Sequence, residues 1–208
     1  MHRCWLGSDR APAAGETVTL SRTESDHILK SLRMHAGDPV AIIAAERLYE
    51  GVIASAEDGE VRVKALRELP SPEPAVRITL VQGLPKADKL EWIVQKATEL
   101  GAYRILPVEM ARSVARITEK DEKKRERLAR IALEAAKQAG RAHVPQVLPA
   151  LRFPDALREL RGTVYVAWEG VDALRLSQAV AEDRPREMTL VVGPEGGITA
   201  EEIAQLEA

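Results

Sequence analysis

Three prolines within five positions, in Leu69-Pro-Ser-Pro-Glu-Pro74, divide this 208-residue chain. Proline fixes φ and lacks a backbone N–H, so the run continues neither a helix nor a central strand and forms a stiff connector. The hydrophobic pattern changes across it. Before it, Thr17 to Leu20, Pro39 to Ala45, Leu48 to Ala54 and Val61 to Leu66 are short and β-branched or alternating, as strands are. Asp58-Gly59 is the hairpin turn between the last two. One helix interrupts them: Thr23 or Ser25 caps it, Ile28, Leu29, Leu32 and Met34 give it an apolar side, and Gly37 ends it. The expectation is a small β-rich barrel carrying one helix.

After the connector, strands alternate with helices. Val76 to Val81, Tyr103 to Val108, Thr163 to Trp168 and Met188 to Val192 read as strands. Ala87 to Leu100 is a helix with Leu90, Ile93, Val94, Ala97 and Leu100 on one face, closed by Gly101. Thr118 caps a longer helix through Leu128, Ile131, Ala132, Ala135 and Ala139, closed by Gly140. This alternation predicts a parallel sheet covered on both faces, with ligands beyond the carboxyl ends of its strands. Aromatic residues are only 3%, so aliphatic side chains and alanine must fill both cores. A single cysteine, Cys4, excludes an internal disulfide and fits a reducing cytoplasm. No apolar run has the length of a membrane span, and the four histidines have no zinc-ligand spacing, so no metal is expected.

Three clusters could carry chemistry. The first is Gly193-Pro194-Glu195-Gly196-Gly197, between the last strand and a helix opened by the capping-box pair Thr199 and Glu202. It is neither a Walker A nor a G-x-G-x-x-G motif, so a tight turn and a ligand loop stand equally at this point. Glu195 is likewise explained by dipole stabilisation alone. The second cluster, Gln138 to Pro145, holds Arg141 just past Gly140, where an arginine bonds the last helix carbonyls or faces a phosphate or base edge. The third has Lys86 and Lys89 near a helix N-terminus, where the dipole disfavours cations, so they solubilise or serve an anion. Net charge is −2, yet Arg112 to Arg152 carries eleven Lys/Arg against five Asp/Glu. That stretch is either a solvated helix face with i,i+4 pairs or a track for a phosphate backbone.

Together these stretches resemble the RsmE family, the bacterial 16S ribosomal RNA uracil-N3 methyltransferases of the SPOUT class. The likeness rests on His27 to Met34 with Gly37-Asp38, on Pro85-Lys86, on Gln95 to Gly101 and Pro107, and on Arg112-Ser113. It continues through Gln138 to Arg141 with Pro145, and Val192 to Ile198 with Glu202-Ile203. Each piece is weak alone; their order and spacing make the set specific.

The resemblance implies an N-terminal PUA-like RNA-binding β-barrel over residues 1–69. It also implies a C-terminal SPOUT α/β domain over 75–208 whose final segments form a trefoil knot. It implies S-adenosyl-L-methionine bound by Gly193, Pro194, Glu195, Gly196, Gly197 and Ile198, with Glu169 and Gly170 walling the same pocket. A homodimer and 16S ribosomal RNA in the assembled small subunit are the implied partners, with no membrane, in the cytoplasm. Family members continue to a Leu-Gly-x-Arg-Ile-Leu-Arg-x-Glu-Thr-Ala segment that closes the knot, and that segment is absent from these 208 residues. In the implied reaction uracil N3 loses its imide proton before taking the methyl group, and a cation beside O2 or O4 stabilises the anion. Arg141 is the first choice for that catalytic role. Arg3, Arg33, Lys86, Lys89 and Arg112 are the expected RNA contacts. Two other readings stand beside this one: an RNA-binding module without catalysis, and a SPOUT methyltransferase acting on another RNA.

Overall fold

Residues Pro39–Ala44 are apolar almost without interruption, and the structure shows why. The computed structural model describes residues 1–7, 10–118, 121–169 and 175–207. It divides into two units, Met1–Glu73 with Gly140–His143, and Pro74–Ala139 with Val144–Ala208. In the first, β1 (His2–Trp5), β2 (Thr17–Thr19), β3 (Pro39–Ala44), β4 (Arg47–Glu57) and β5 (Glu60–Leu69) form one sheet in the order β1-β3-β4-β5-β2. Strand β3 is covered on both faces. Val40 and Ile42 join Cys4, Ile28, Val61 and Val63 in the main core, while Ala41 and Ile43 pack with Leu48 and Ala142 on the other side. A strand buried twice has no solvent face to spend on polar residues.

The β4–β5 hairpin turns at Asp58 and Gly59, whose φ values are 52° and 75°, both positive as a type I′ turn requires. Ala45 and Glu46 turn β3 into β4 with φ 48° and 58°, so Ala45 leaves the strand that its apolar character assigned to it. Strand β1 was not anticipated: it runs parallel to β3, pairing His2 with Val40 and Trp5 with Ile43. Four residues at a chain end carry too little periodicity to mark it.

The helix differs from expectation at both ends. Ser21 is the cap, accepting the Glu24 N–H at 3.3 Å. Ser25 is buried, and its hydroxyl instead accepts the Val61 N–H at 3.1 Å. From α1 (Arg22–Asp26) the chain widens into a π-helix over His27–Leu32 and stops at Arg33, left-handed at φ 52°. Gly37, at φ 96°, belongs to the turn into β3.

Residues 140–143 complete this unit. The Glu73 carboxylate accepts the Ala142 and His143 N–H groups at 2.7 and 3.1 Å and faces the guanidinium of buried Arg141, whose Nε lies 3.1 Å away. Arg141 therefore meets a carboxylate, a partner that the sequence reading did not include beside helix carbonyls and RNA. Burial pushes the Glu73 pKa up, but the Arg141 hydrogen bond, the two N–H groups and the Arg141 charge together hold it below the ordinary value.

The second unit alternates as expected. It contains β6 (Arg77–Gly83), α2 (Lys89–Glu99), β7 (Arg104–Glu109), α3 (Asp121–Ala139), β8 (Gln146–Val147), β9 (Leu151–Arg152) and α4 (Phe153–Ala156). It continues with β10 (Thr163–Ala167), α5 (Leu176–Asp183), β11 (Glu187–Val192) and α6 (Ala200–Glu207). All its strand pairings are parallel, in the order β10-β11-β6-β7-β8, with β9 also on β7. Side chains alternate across the sheet: Leu106 and Val108 pack with Val81, Val191 and Phe153, while Ile105 packs with Leu90, Val94, Leu128 and Ala132. Gly101, at φ 103°, follows α2, and Gly140, at φ 65°, follows α3. Thr118 precedes α3, but residues 119 and 120, where a cap would engage, lie outside the described residues. The charged face of α3 holds pairs of the ordinary kind, Arg125 with Glu122, Lys137 with Glu134, and Arg127 with Glu91 of α2. No described helix is long and apolar enough to cross a membrane.

Because the folded Glu73 pKa lies below the unfolded one, its contribution is complete above the unfolded value and drains as pH falls through the folded value. Glu73→Gln should therefore destabilise the protein at pH 7 by on the order of 2 kcal/mol, with the difference shrinking toward acid. Urea denaturation across that pH range measures it.

Candidate active site

The loops that leave the carboxyl ends of β6, β7, β10 and β11 meet around Gly193 to Ile198. In the sheet the late pair β10-β11 lies beside the early pair β6-β7, so the carboxyl ends of β11 and β6 are neighbours, and open α/β sheets bind ligands beyond such ends. The approach there excludes side chains. A Cβ on Gly83, at the end of β6, would stand 2.5 Å from Pro194 N, and one on Gly193 would stand 2.8 Å from Ile198 Cγ1. Buried Gln82 ties the two strand ends, its amide donating to Gly83 O at 3.0 Å and to Gly193 O at 3.3 Å. The Gly197 N–H closes the turn on Pro194 O at 2.9 Å, with Gly197 at φ 76°.

The capping box forms as its spacing required. Thr199 Oγ1 accepts the Glu202 N–H at 3.2 Å, and Glu202 Oε2 accepts the Thr199 N–H at 3.0 Å. Glu202 is 5% exposed, and its other oxygen accepts the Ala111 N–H, in the loop after β7, at 2.8 Å. The next residue, Arg112, donates from Nη1 to Gly196 O at 3.0 Å. Its Cβ would lie 2.9 Å from one built on Gly196.

Glu195 is held ionised by its neighbours. It accepts the Lys86 N–H at 3.2 and 3.3 Å and the Lys89 ammonium at 2.8 Å. The Lys89 hydrogen bond, then its own and the Lys86 N–H groups and the Lys89 charge, outweigh a small burial effect and drive its pKa down to about 2. The Lys89 ammonium thus serves an anion, the loop's own carboxylate, while Lys86 contributes its backbone N–H.

A family model described as an RNA methyltransferase domain matches residues 71–208. A relative in Bacillus subtilis (strain 168), ribosomal RNA small subunit methyltransferase E, is 34% identical over 206 residues, covering 91% of this chain and 78% of the relative. The chain belongs to the ribosomal RNA small subunit methyltransferase E family. The Mycobacterium bovis member is 30% identical over 207 residues, covering 95% of this chain and 78% of that one. The crystal structure of the Neisseria gonorrhoeae member, bound to S-adenosyl methionine, is 25% identical with a TM-score of 0.78, covering 100% of this chain and 85% of that one.

The structure gathers Gly193, Pro194, Glu195, Gly196, Gly197 and Ile198 with Glu169, Lys86, Lys89 and Arg112 in the methyltransferase domain of this family member. The space a Cβ on Gly197 would take is bounded by Glu169 Oε1 at 3.4 Å and Arg112 Nη1 at 3.7 Å. Gly170 lies outside the described residues. Arg3, Arg33 and Arg141 belong to the first unit. Arg3 donates to Gly140 O, Arg33 is exposed at the end of the π-helix, and Arg141 faces Glu73. Sequence reasoning passed over Gln82, Gly83 and the second bond of Glu202. The Gln-Gly pair at a strand end was the available signal for the first two, and only folding could bring Ala111 to Glu202.

Gly83→Ala places a methyl group against the backbone of the glycine loop. It should cost about 1–3 kcal/mol, read by urea denaturation, and should shift the amide resonances of Gly193 to Gly197.

Proposed function

We propose that this protein transfers a methyl group from S-adenosylmethionine to N3 of a uridine in the 16S RNA of the small ribosomal subunit. What carries the reading is the meeting of three strand-end loops on a glycine loop whose open side is walled by one carboxylate and one guanidinium. That donor set suits a zwitterionic cofactor with a cationic sulfonium. Gly193 to Ile198 would hold it through the backbone, and Glu169 would face its positive charge. When bound, S-adenosylmethionine supplies an electrophilic methyl group.

The chain's own residues then have three tasks. The loop fixes orientation, which removes much of the entropic barrier. Glu195 stays ionised across the physiological range and pins the loop to Lys86 and Lys89. A cation must stabilise the uracil anion. Arg112, exposed and beside the loop, takes precedence in that role over Arg141, whose charge Glu73 already neutralises. The first unit is read as a PUA-like barrel over residues 1–69 that contacts RNA through Arg3 and Arg33. The second, over 75–208, is read as a SPOUT domain with a trefoil knot. The protein is read as a cytoplasmic homodimer acting on the assembled subunit, where the target base is already exposed.

Calorimetric titration with S-adenosylmethionine tests the reading, beside a chain extended through the knot-closing segment. Saturable binding by either form is expected. Binding by neither would leave an RNA-binding module without catalysis. RNA affinity should also fall about tenfold or more between 50 and 200 mM salt if three or more phosphates are neutralised. A flat response would return the 112–152 stretch to a solvated helix face.

A further inference from the structure

Glu202 does more than cap a helix. A capping glutamate needs one carboxylate oxygen for the Thr199 N–H; this one uses its second on Ala111, 91 residues away in the loop after β7. That loop is rigid from within. The Met110 N–H donates to Ser113 Oγ at 3.1 Å, the Ser113 N–H returns to Met110 O at 3.0 Å, and the Ile117 N–H donates to Glu109 at 2.7 Å. Arg112 therefore has little freedom in its backbone, and the bond from Ala111 to Glu202 ties that backbone to α6, beside the packing of Met110 in the cluster that holds Ile203. Gly196 supplies independent support: it tolerates no Cβ because Arg112 Cβ and O lie 2.9 and 3.2 Å from where one would stand. The two loops are flush, and the Arg112 guanidinium closes the contact on Gly196 O.

We propose that Glu202 is a positioning residue, linking the start of α6 to the β7 loop so that Arg112 is held over the glycine loop with its charge directed at the bound nucleotide. This rests on the methyltransferase reading above. A buried carboxylate suits the task because it accepts two N–H groups at once in charge-assisted bonds, which neutral side chains do not match. A misplacement of about 1 Å at such a contact costs on the order of a hundredfold in rate.

Three variants separate positioning from capping. Glu202→Ala removes both bonds. Ala111→Pro deletes the N–H that reaches Glu202 and leaves the Glu202 bond to the Thr199 N–H, whereas Thr199→Ala deletes the hydroxyl contacts at the helix start and leaves the Ala111 bond. In the cofactor-free full chain, Glu202→Ala and Ala111→Pro should shift the Gly196 and Gly197 amide resonances together, as Arg112→Ala does, while Thr199→Ala leaves them near their wild-type positions. In methyl transfer to small ribosomal subunits, Glu202→Ala, Ala111→Pro and Arg112→Ala should each lower kcat on the order of a hundredfold. Combining Ala111→Pro with Arg112→Ala should cost no more than the worse single change. Thr199→Ala should stay within about threefold of wild type, since it costs only contacts at the helix start. Additive losses, or a Thr199→Ala loss equal to that of Ala111→Pro, would overturn the proposal. If the wild-type chain binds no cofactor and transfers no methyl group, the methyltransferase reading fails, and the amide shifts alone decide whether Glu202 positions Arg112. Should Glu202→Ala fail to fold, Ala111→Pro carries the test.

Discussion

The candidate site depends on a close approach of backbone to backbone at the ends of β6 and β11. Gly83 and Pro194 come near enough that no Cβ fits between them, and Gly193 folds back on Ile198 with no more room. Glycine is needed here for space, since neither Gly83 nor Gly193 has positive φ. The consequence reaches outward. Because the strand ends touch, the loops they release are brought within hydrogen-bonding distance of one another, and residues far apart in sequence share one surface. Gln82 then bridges both carbonyls, a bond that exists only because the strands carry their loops so close.

Charge follows from that geometry. Two lysines at the start of a helix work against its dipole, and a lone carboxylate on a loop has no reason to stay ordered. Glu195 takes the Lys86 N–H, three residues before α2, and pairs with the Lys89 ammonium at the helix start. The pair is exposed, so its worth in stability is small. Its effect is to restrict the loop, which keeps Glu195 ionised and fixed while Glu169 and Arg112 border the open side.

What the sequence made legible follows the range of the interactions. The capping box of Thr199 and Glu202, the Asp58-Gly59 turn and the strand–helix alternation are local patterns, and each appears where its spacing puts it. The misses are long-range. Strand β1 exists because β3 offers it a parallel edge, and Ser21 caps α1 because Ser25 is committed to Val61. Gln138 to Arg141 read as a helix end whose arginine bonds the last carbonyls or faces a phosphate or base edge; the fold adds a glutamate from the proline-rich connector as its partner. No period in the sequence couples Glu73 to Arg141, so only the fold reveals the pair.

Under the proposed reaction, that coupling favours Arg112 over Arg141 as the arginine that faces the nucleotide. A guanidinium stabilises a developing anion in proportion to the charge it has left to offer. Arg141 is buried with its charge matched by Glu73, and drawing it to a substrate would strand a half-buried carboxylate that accepts two further N–H groups. Arg112 bears the opposite relation to its surroundings. It is exposed, its guanidinium donates to a neutral carbonyl and acts on the Glu201 carboxylate only through its charge, and the residue before it is anchored by a buried carboxylate. Its charge remains available while its place is set, which is the combination that electrostatic stabilisation of a transition state requires.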